Sequence, residues 1–166
     1  MIWRIRIGRW RFTWTMARTQ HVIGVNSILD NGAHILMWDF DDVKLPTVRE
    51  TLEYVQRVYE LPPIYILETK RKSNYIAYCF KRVPWRKAVE IICSTPNVDY
   101  GFIKYGVYRQ HFTLRVTPKG KRKPVLIHII PSGVKEDAYI THLRNWVRYE
   151  TLEDGQEVKV KELRLK

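Results

Sequence analysis

Short apolar runs and turn residues alternate through the first part of the chain. The run from Ala33 to Asp41 follows the turn Asp30-Asn31-Gly32 and ends in acidic residues, which predicts a buried strand. The segment from His21 to Ile28, before the same turn, is a second extended candidate. The two segments together predict a β-hairpin.

Helical spacing follows the second of these strands. Thr47-Val-Arg-Glu50 has the form of a capping box, and apolar residues recur at helical intervals as far as Leu61. Pro84 suits the first turn of a second helix, which Pro96 closes. Two strands are predicted between the helices, at Ile64 to Thr69 and Asn74 to Lys81.

The central elements follow the order strand, helix, strand, strand, helix, strand. This order is typical of the split β-α-β arrangement of ferredoxin-like and RNA-recognition-motif (RRM) folds. We therefore predict an α+β fold in one domain, 1–166: N-terminal strands at 1–32, an RRM-like core with an antiparallel sheet at 33–131, and a C-terminal helix and strand at 132–166. The later elements are predicted as an extended segment, a strand, a helix and a last strand at Phe102 to Val116, Val125 to Ile130, Lys135 to Thr151 and Val158 to Leu165.

The N-terminal arm has two sets of alternating apolar residues that differ in parity. Ile2 to Thr15 is predicted to be extended, and a bulge at Gly8 would bring both sets to one face. The first set is Trp3, Ile5 and Ile7, and the second is Trp10, Phe12 and Trp14. A membrane or another subunit is a further candidate partner for this Trp- and Arg-rich arm.

The composition is that of a globular, intracellular protein. Hydrophobic residues make up 45% of the chain and charged residues 28%, values that argue against disorder. No apolar run approaches the ~20 residues of a membrane span, and arginines interrupt any signal sequence. Cys79 and Cys93 are too few for a disulfide framework, so we expect a reducing, cytoplasmic location and no membrane partner.

The net charge of +12 is unevenly distributed. Acidic residues are absent from residues 1–26, from the stretch between Glu68 and Glu90, and from that between Asp99 and Glu136. Aromatic residues interleave with the bases in the last two stretches, a pattern that favours a groove for phosphates and stacked bases. A basic surface that serves only solubility, with the rings in the core, is the alternative.

Asp39 and Asp41 end the strongest predicted strand. Residues two apart on a strand point to the same side, so the two carboxylates can converge. Paired carboxylates at a strand end bind Mg²⁺ or Mn²⁺ through oxygen, and such ions activate a hydroxyl for attack on a triphosphate. A polar strand end that caps a turn is the alternative.

The run Leu36-Met-Trp-Asp39-Phe-Asp41 resembles the first motif of archaeo-eukaryotic-type primases and primase-polymerases, which have an RRM-like catalytic core. Glu68 to Tyr78 is similar to the variant second motif of plasmid replication primases, but it has no His. Leu114 to Lys119 resembles a basic stretch of these proteins that approaches phosphates. The third motif, an apolar residue followed by Asp on a late strand, has no counterpart in Val125–Ile130, where His128 stands instead.

The resemblance implies a set of candidate site residues. Asp39 and Asp41 would hold the metal, and Asp99 is the other carboxylate available to catalysis. The candidates for nucleotide or nucleic-acid binding are Lys70, Arg71, Lys72, Ser73, Tyr75, Arg109, Arg115 and Lys119.

Two functions remain open at this point. The first is a primase-polymerase-like nucleotidyltransferase that uses Mg²⁺ and nucleoside triphosphates on single-stranded or primed DNA, alone or with a replication-protein partner. The second is a catalytically inactive RRM-like protein of a virus or plasmid that binds single-stranded nucleic acid. A third carboxylate or a His that faces Asp39 and Asp41 would favour the first.

Overall fold

The structure is a computed structural model that describes residues 2–16, 19–118, 122–139, 142, 146–152 and 160–165. These residues form three helices and ten strands. In chain order they are β1 (Ile2–Ile7), β2 (Trp10–Thr15), β3 (Thr19–Asn26), β4 (His34–Phe40), α1 (Leu45–Val58), β5 (Ile64–Lys70), β6 (Asn74–Val83), α2 (Trp85–Cys93), α3 (Tyr100–Arg109), β7 (Thr113–Arg115), β8 (Val125–Ile130), β9 (Trp146–Leu152) and β10 (Val160–Leu165). The fold is therefore α+β, as the sequence predicts.

The chain divides into two compact units. The smaller comprises Met1–Val22 with Tyr149–Lys166, and the larger comprises Ile23–Arg148. In the smaller unit β1 lies between β10, to which it is parallel, and β2, to which it is antiparallel.

A two-residue turn joins β1 to β2. Gly8 has a φ of 56° at the first turn position, the conformation that a type II′ turn requires. The expected bulge at Gly8 is therefore wrong, because the chain reverses there. The expected consequence is right, because the register pairs Trp3 with Trp14 and Ile7 with Trp10, and directly paired residues share a face.

A four-stranded antiparallel sheet of order β4-β6-β5-β8 organises the larger unit. β4 and β5 are parallel to each other, α1 connects them, and β6 lies between them. This is the split β-α-β arrangement. β8 lies beside β5, whereas a ferredoxin-like sheet carries its last strand at the edge corresponding to β4. A third sheet has the strand order β7-β3-β9.

One hydrophobic core joins the helices to this sheet. The buried residues of α1 and α2 pack in a single cluster with those of β4, β5 and β6. The Trp38 indole, fully buried on β4, donates a hydrogen bond to Thr95 Oγ1 at 2.9 Å, just after α2. The Gln56 amide of α1 donates to the carbonyls of Pro62 and Ile130. Buried polar groups thus have partners that fix the helices on the sheet.

Two details of the first half differ from prediction. α1 begins at Leu45 after an extended Lys44, with Pro46 in its first turn, so Thr47 lies inside the helix and forms no capping box. The predicted hairpin of β3 and β4 exists only near its turn, where Ile28 bridges His34. Beyond it the strands separate, because β3 pairs with β7 and β4 with β6.

Two predictions for the second half are wrong. Phe102 to Val116, predicted to be extended, is mainly the helix α3 followed by the short strand β7. A helix was predicted from Lys135 to Thr151. Residues 135–139 instead have no regular secondary structure, and the last part of the predicted range belongs to strand β9. The predicted turn at residues 154–155 lies outside the described residues. The structure confirms the predictions of helix α2 and of strands β5, β6, β8 and β10.

Candidate nucleic-acid interface

Three separate segments meet at the carboxyl end of β4. The Asp99 backbone N–H, just before α3, donates to the Asp39 carbonyl at 2.8 Å. The Val43 N–H donates to the Ser73 carbonyl at 2.9 Å, and Phe40 pairs with Tyr75 at the start of β6. The Asp residues and the basic turn that the sequence singled out therefore lie at the same end of the sheet.

The three candidate carboxylates occupy different local structures. Asp39 is half-buried in β4, whereas Asp41 is exposed beyond the last residue of that strand, so the alternation rule does not extend to it. An Asp41 oxygen accepts a hydrogen bond from the Asn74 amide. Asp99 Oδ1 accepts from the Phe102 N–H at 2.6 Å, which makes Asp99 the N-cap of α3.

Asp39 influences a buried tyrosine on the neighbouring strand. Burial, and then the negative charge of Asp39, raise the pKa of the Tyr78 hydroxyl. This hydroxyl is buried and has no hydrogen-bond partner in the described part of the chain. It is therefore a polar group near Asp39 that has unused bonding capacity among the described residues.

The metal site implied by the family resemblance needs ligands that converge. Among the residues that the structure describes, no group of three His, Cys, Asp or Glu side chains is placed to hold a metal ion. Asp41 and Asp99 also have hydrogen-bond partners within the protein.

The turn between β5 and β6 presents the three bases Lys70, Arg71 and Lys72, all exposed. Its shape is held from inside by Glu68, which accepts from the Lys72 N–H at 2.6 Å and pairs with Arg122. Lys72 has a φ of 60°, in the left-handed region. Lys70 Nζ lies 3.7 Å from an Asp42 oxygen, a pair that is exposed and therefore weak. The turn keeps its positive charge on the outside.

Two neighbours of this turn have structural roles. Tyr75 is only 2% exposed and belongs to the core, which corrects the prediction that its ring contacts nucleic acid. Burial, and then the charge of Glu68, raise the pKa of Tyr75. The Ser73 hydroxyl donates to the Asn74 side chain at 2.5 Å. The amide of Asn74 thus connects the turn to Asp41.

Helix α3 carries part of the interleaved aromatic and basic sequence on an exposed surface, although the sequence predicted an extended chain here. The exposed tyrosines and bases are Tyr100, Lys104, Tyr105, Tyr108 and Arg109, which we call the tyrosine face; Val107 is exposed beside them. The three tyrosines are 76%, 56% and 85% exposed. Lys104 Nζ and Arg109 Cζ lie 6.0 Å and 5.7 Å from the centroid of the Tyr105 ring, within cation–π range.

The opposite side of α3 is packed tightly. Phe102 stacks on the buried Phe112 with centroids 5.1 Å apart. A Cβ on Gly106 would lie within 3.0 Å of the Phe112 ring, so only glycine allows this approach. Phe112 also contacts Trp85, which contacts His34. The aromatic contacts fix α3 against the core of the larger unit.

The other basic candidates differ in availability. Arg109 is exposed in the last turn of α3. The Arg115 guanidinium donates to Thr117 Oγ1 at 3.3 Å and to the Pro118 carbonyl at 2.5 Å, so it holds its own loop together. Lys119 lies outside the described residues. His128, on β8, is half-buried beside Ile66 of β5.

His34 has a structural environment. Its Nδ1 lies 2.9 Å from the Ser27 hydroxyl, which in turn accepts from the Phe112 N–H. Burial lowers the pKa of His34, and the positive charge of His111 lowers it further. This agrees with the packing role that is usual for a lone histidine.

No protein-family model, curated protein or solved structure matches this chain. Each helix among the described residues is too short or too polar to cross a membrane.

Proposed function

We propose that this protein binds nucleic acid through phosphate contacts at the end of the sheet where β4 and the β5–β6 turn meet. The observation that carries the proposal is the exposed cluster of Lys70, Arg71 and Lys72, whose turn is built so that its internal acid, Glu68, faces the protein. Like charges this close repel one another unless they share an anion. A polyanion relieves that repulsion, and the net charge of +12 attracts it over a distance.

The tyrosine face supports the same proposal. Its amino end, Tyr100, follows Asp99, which bonds the end of β4, so the face begins near the basic turn. Lys104 and Arg109 add two cations, and no acidic residue lies between Asp99 and Glu136 in the sequence. Phosphates that leave the turn therefore meet a second basic surface.

Binding of a labelled oligonucleotide at several salt concentrations tests the proposal. Because phosphate contacts release counterions, affinity should fall with salt, with a log–log slope of about −0.7 for each phosphate of a single strand. Changing Lys70, Arg71 and Lys72 to Ser should weaken binding and make the slope shallower by about 2 units. A protein that shows no binding at low salt would contradict the proposal.

A matched control removes the same charge elsewhere. Arg49 and Arg57 on α1 and Arg86 on α2 are exposed and belong to helices rather than to the β5–β6 turn. Changing these three to Ser should leave the salt slope nearly as it is. If the control and the turn variant weaken binding equally, net charge alone explains the binding and the turn has no special part.

A second candidate function is nucleotidyl transfer by a primase-polymerase-like enzyme. The backbone bond from the Asp99 N–H to the Asp39 carbonyl supports it, because it joins the segments that carry two candidate acids. The Tyr78 hydroxyl near Asp39, which lacks a hydrogen-bond partner among the described residues, supports it too. Extension of a primed template with Mg²⁺ or Mn²⁺ tests it, with the double change of Asp39 and Asp41 to Asn as the control. Synthesis that persists in this variant would exclude these carboxylates from the reaction.

A further inference from the structure

We infer that the tyrosine face of α3 is a stacking platform for unpaired bases, so that the ligand class is single-stranded nucleic acid. The inference rests on the proposed function and deepens it, because it assigns the bases to one helix and the phosphates to the neighbouring cations. A paired base inside a duplex hides its faces, and therefore only an unpaired base can lie on an exposed ring.

The geometry of α3 groups the rings on one side. At 100° per residue, the tyrosine face occupies about half of the helix circumference. At a rise of about 1.5 Å per residue, Tyr105 and Tyr108 differ by about 4.5 Å along the axis, and Tyr100 lies about 12 Å from Tyr108. Three largely exposed phenol rings therefore lie within a span of about two helical turns.

The two cations of the tyrosine face lie next to its rings. Lys104 lies between Tyr100 and Tyr108 on the helix surface, and both Lys104 and Arg109 approach the Tyr105 ring. Single-strand binding proteins combine these two elements, a basic path for the backbone and aromatic rings for the bases. Charge complementarity thus selects a polyanion with exposed π-faces over an uncharged protein surface.

The rings are presented by a helix that is already fixed. Phe102 and Gly106 pack on Phe112, and the Asp99 cap and its bond to Asp39 hold the amino end. A tyrosine side chain has few rotatable bonds, so ordering it on binding costs little entropy. Both features reduce the cost of binding.

The test compares ligands that share phosphates but differ in bases. Fluorescence anisotropy measures the affinity for a labelled oligothymidine, for an abasic strand of the same length, and for a duplex, at one fixed salt concentration. We expect the wild-type protein to bind oligothymidine more tightly than either of the others. Changing Tyr100, Tyr105 or Tyr108 to Ala should weaken oligothymidine binding about tenfold for each ring and leave abasic binding unchanged.

Three controls isolate stacking from other causes. Tyr54→Ala removes a ring from α1 that is as exposed as that of Tyr105, and it should not change the affinity for any strand. Tyr108→Trp keeps a stacking ring and should retain oligothymidine binding. Circular dichroism of each variant reports whether α3 remains folded, and an unchanged spectrum is expected because the rings are exposed.

The outcomes separate this inference from the proposed function. If the protein binds none of the strands at low salt, the proposed function fails. If it binds oligothymidine, the abasic strand and the duplex equally, or if the tyrosine variants bind as wild type does, phosphate binding stands and the platform is refuted. If the tyrosine variants instead dissociate an oligomer in sedimentation, the face is a protein contact and the inference is overturned.

Discussion

Replacing Gly106 by Ala should destabilise the larger unit, although alanine is the better helix former. In a helix interior this change gains about 1 kcal/mol from backbone entropy. The new Cβ, however, would lie within 3.0 Å of two carbons of the fully buried Phe112 ring. Overpacking of this kind costs about 1–3 kcal/mol, and Phe112 cannot retreat because Trp85 and Phe102 pack on it. Contacts this close to the ring place the cost near the upper end of that range, so we expect a net loss of about 2 kcal/mol in the free energy of unfolding.

Gly101 offers a control in the same helix. A Cβ there would meet only the Asp99 carboxylate, with the nearest oxygen at 3.0 Å. Gly101→Ala should therefore change the stability by about 1 kcal/mol or less, with a small gain the expected sign. Urea unfolding, followed by circular dichroism and by tryptophan fluorescence, measures both variants and shows whether the two probes report one transition.

A second substitution tests the stated cause. Phe112→Leu removes ring atoms that the new methyl group would strike, so Gly106→Ala should cost less in that background than in the wild type. The coupling between the two changes should reach about 1 kcal/mol in a double-mutant cycle. If Gly106→Ala stabilises the protein as Gly101→Ala does, α3 does not rest on Phe112, and the placement of the tyrosine face is refuted as well.

Three further predictions concern single groups. Asp99→Ala should lower stability by about 1 kcal/mol through loss of the N-cap, and Asp99→Asn should restore most of it, as urea unfolding would show. Because folding lowers the pKa of His34, its contribution to stability is complete above the ordinary histidine pKa of about 6.5 and is lost as the pH falls through the folded-state pKa. The urea midpoint measured as a function of pH should reveal this loss, and His34→Gln should make the midpoint less dependent on pH. Millimolar Mg²⁺ should raise the melting temperature if Asp39 and Asp41 share an ion, and changing both to Asn should abolish the response; an unchanged melting temperature in wild type would refute the shared ion.

Local patterns in the sequence were sufficient to predict the strands β4, β5 and β6 of the central sheet. β4 ends at Phe40, one residue before the predicted end at Asp41, and the basic turn separates β5 from β6 to within one residue of the predicted bounds. These elements depend on alternation, turn residues and burial within short windows, so their signals are local. The position of β8 beside β5, and of β1 beside β10, depends on pairing between distant segments, for which a single sequence has no local signal.

α3 shows why the candidate site was only partly predictable. Its tyrosines, Phe102 and Ile103 favour strands, and Gly101 and Gly106 disfavour helices, so propensity predicted an extended chain. The Asp99 cap and the packing of Phe102 on Phe112 outweigh that preference. The spacing of Tyr100, Lys104 and Tyr108, four residues apart, was the available sign of a helical face.

The alternation of side chains along β6 also contained information about the burial of Tyr75. Tyr75 has the same parity as Ala77 and Cys79, and all three are buried. Alternation therefore groups Tyr75 with the core face once that face is known. Which face the helices cover is a property of the assembled sheet, and this is why the sequence alone favoured a ligand contact.

The strand β2 has a practical consequence for any experiment that varies salt. It ends the order of its sheet in the described part of the chain, and all six of its residues are exposed. An edge of this kind can recruit a strand from another molecule, and repulsion between arginines such as Arg9, just before the strand, and Arg11, within it, opposes that recruitment. Concentrated salt shortens the range of this repulsion to about 3 Å at 1 M, so it favours aggregation while it weakens phosphate binding. Light scattering recorded beside each titration point would distinguish loss of ligand affinity from loss of monomer.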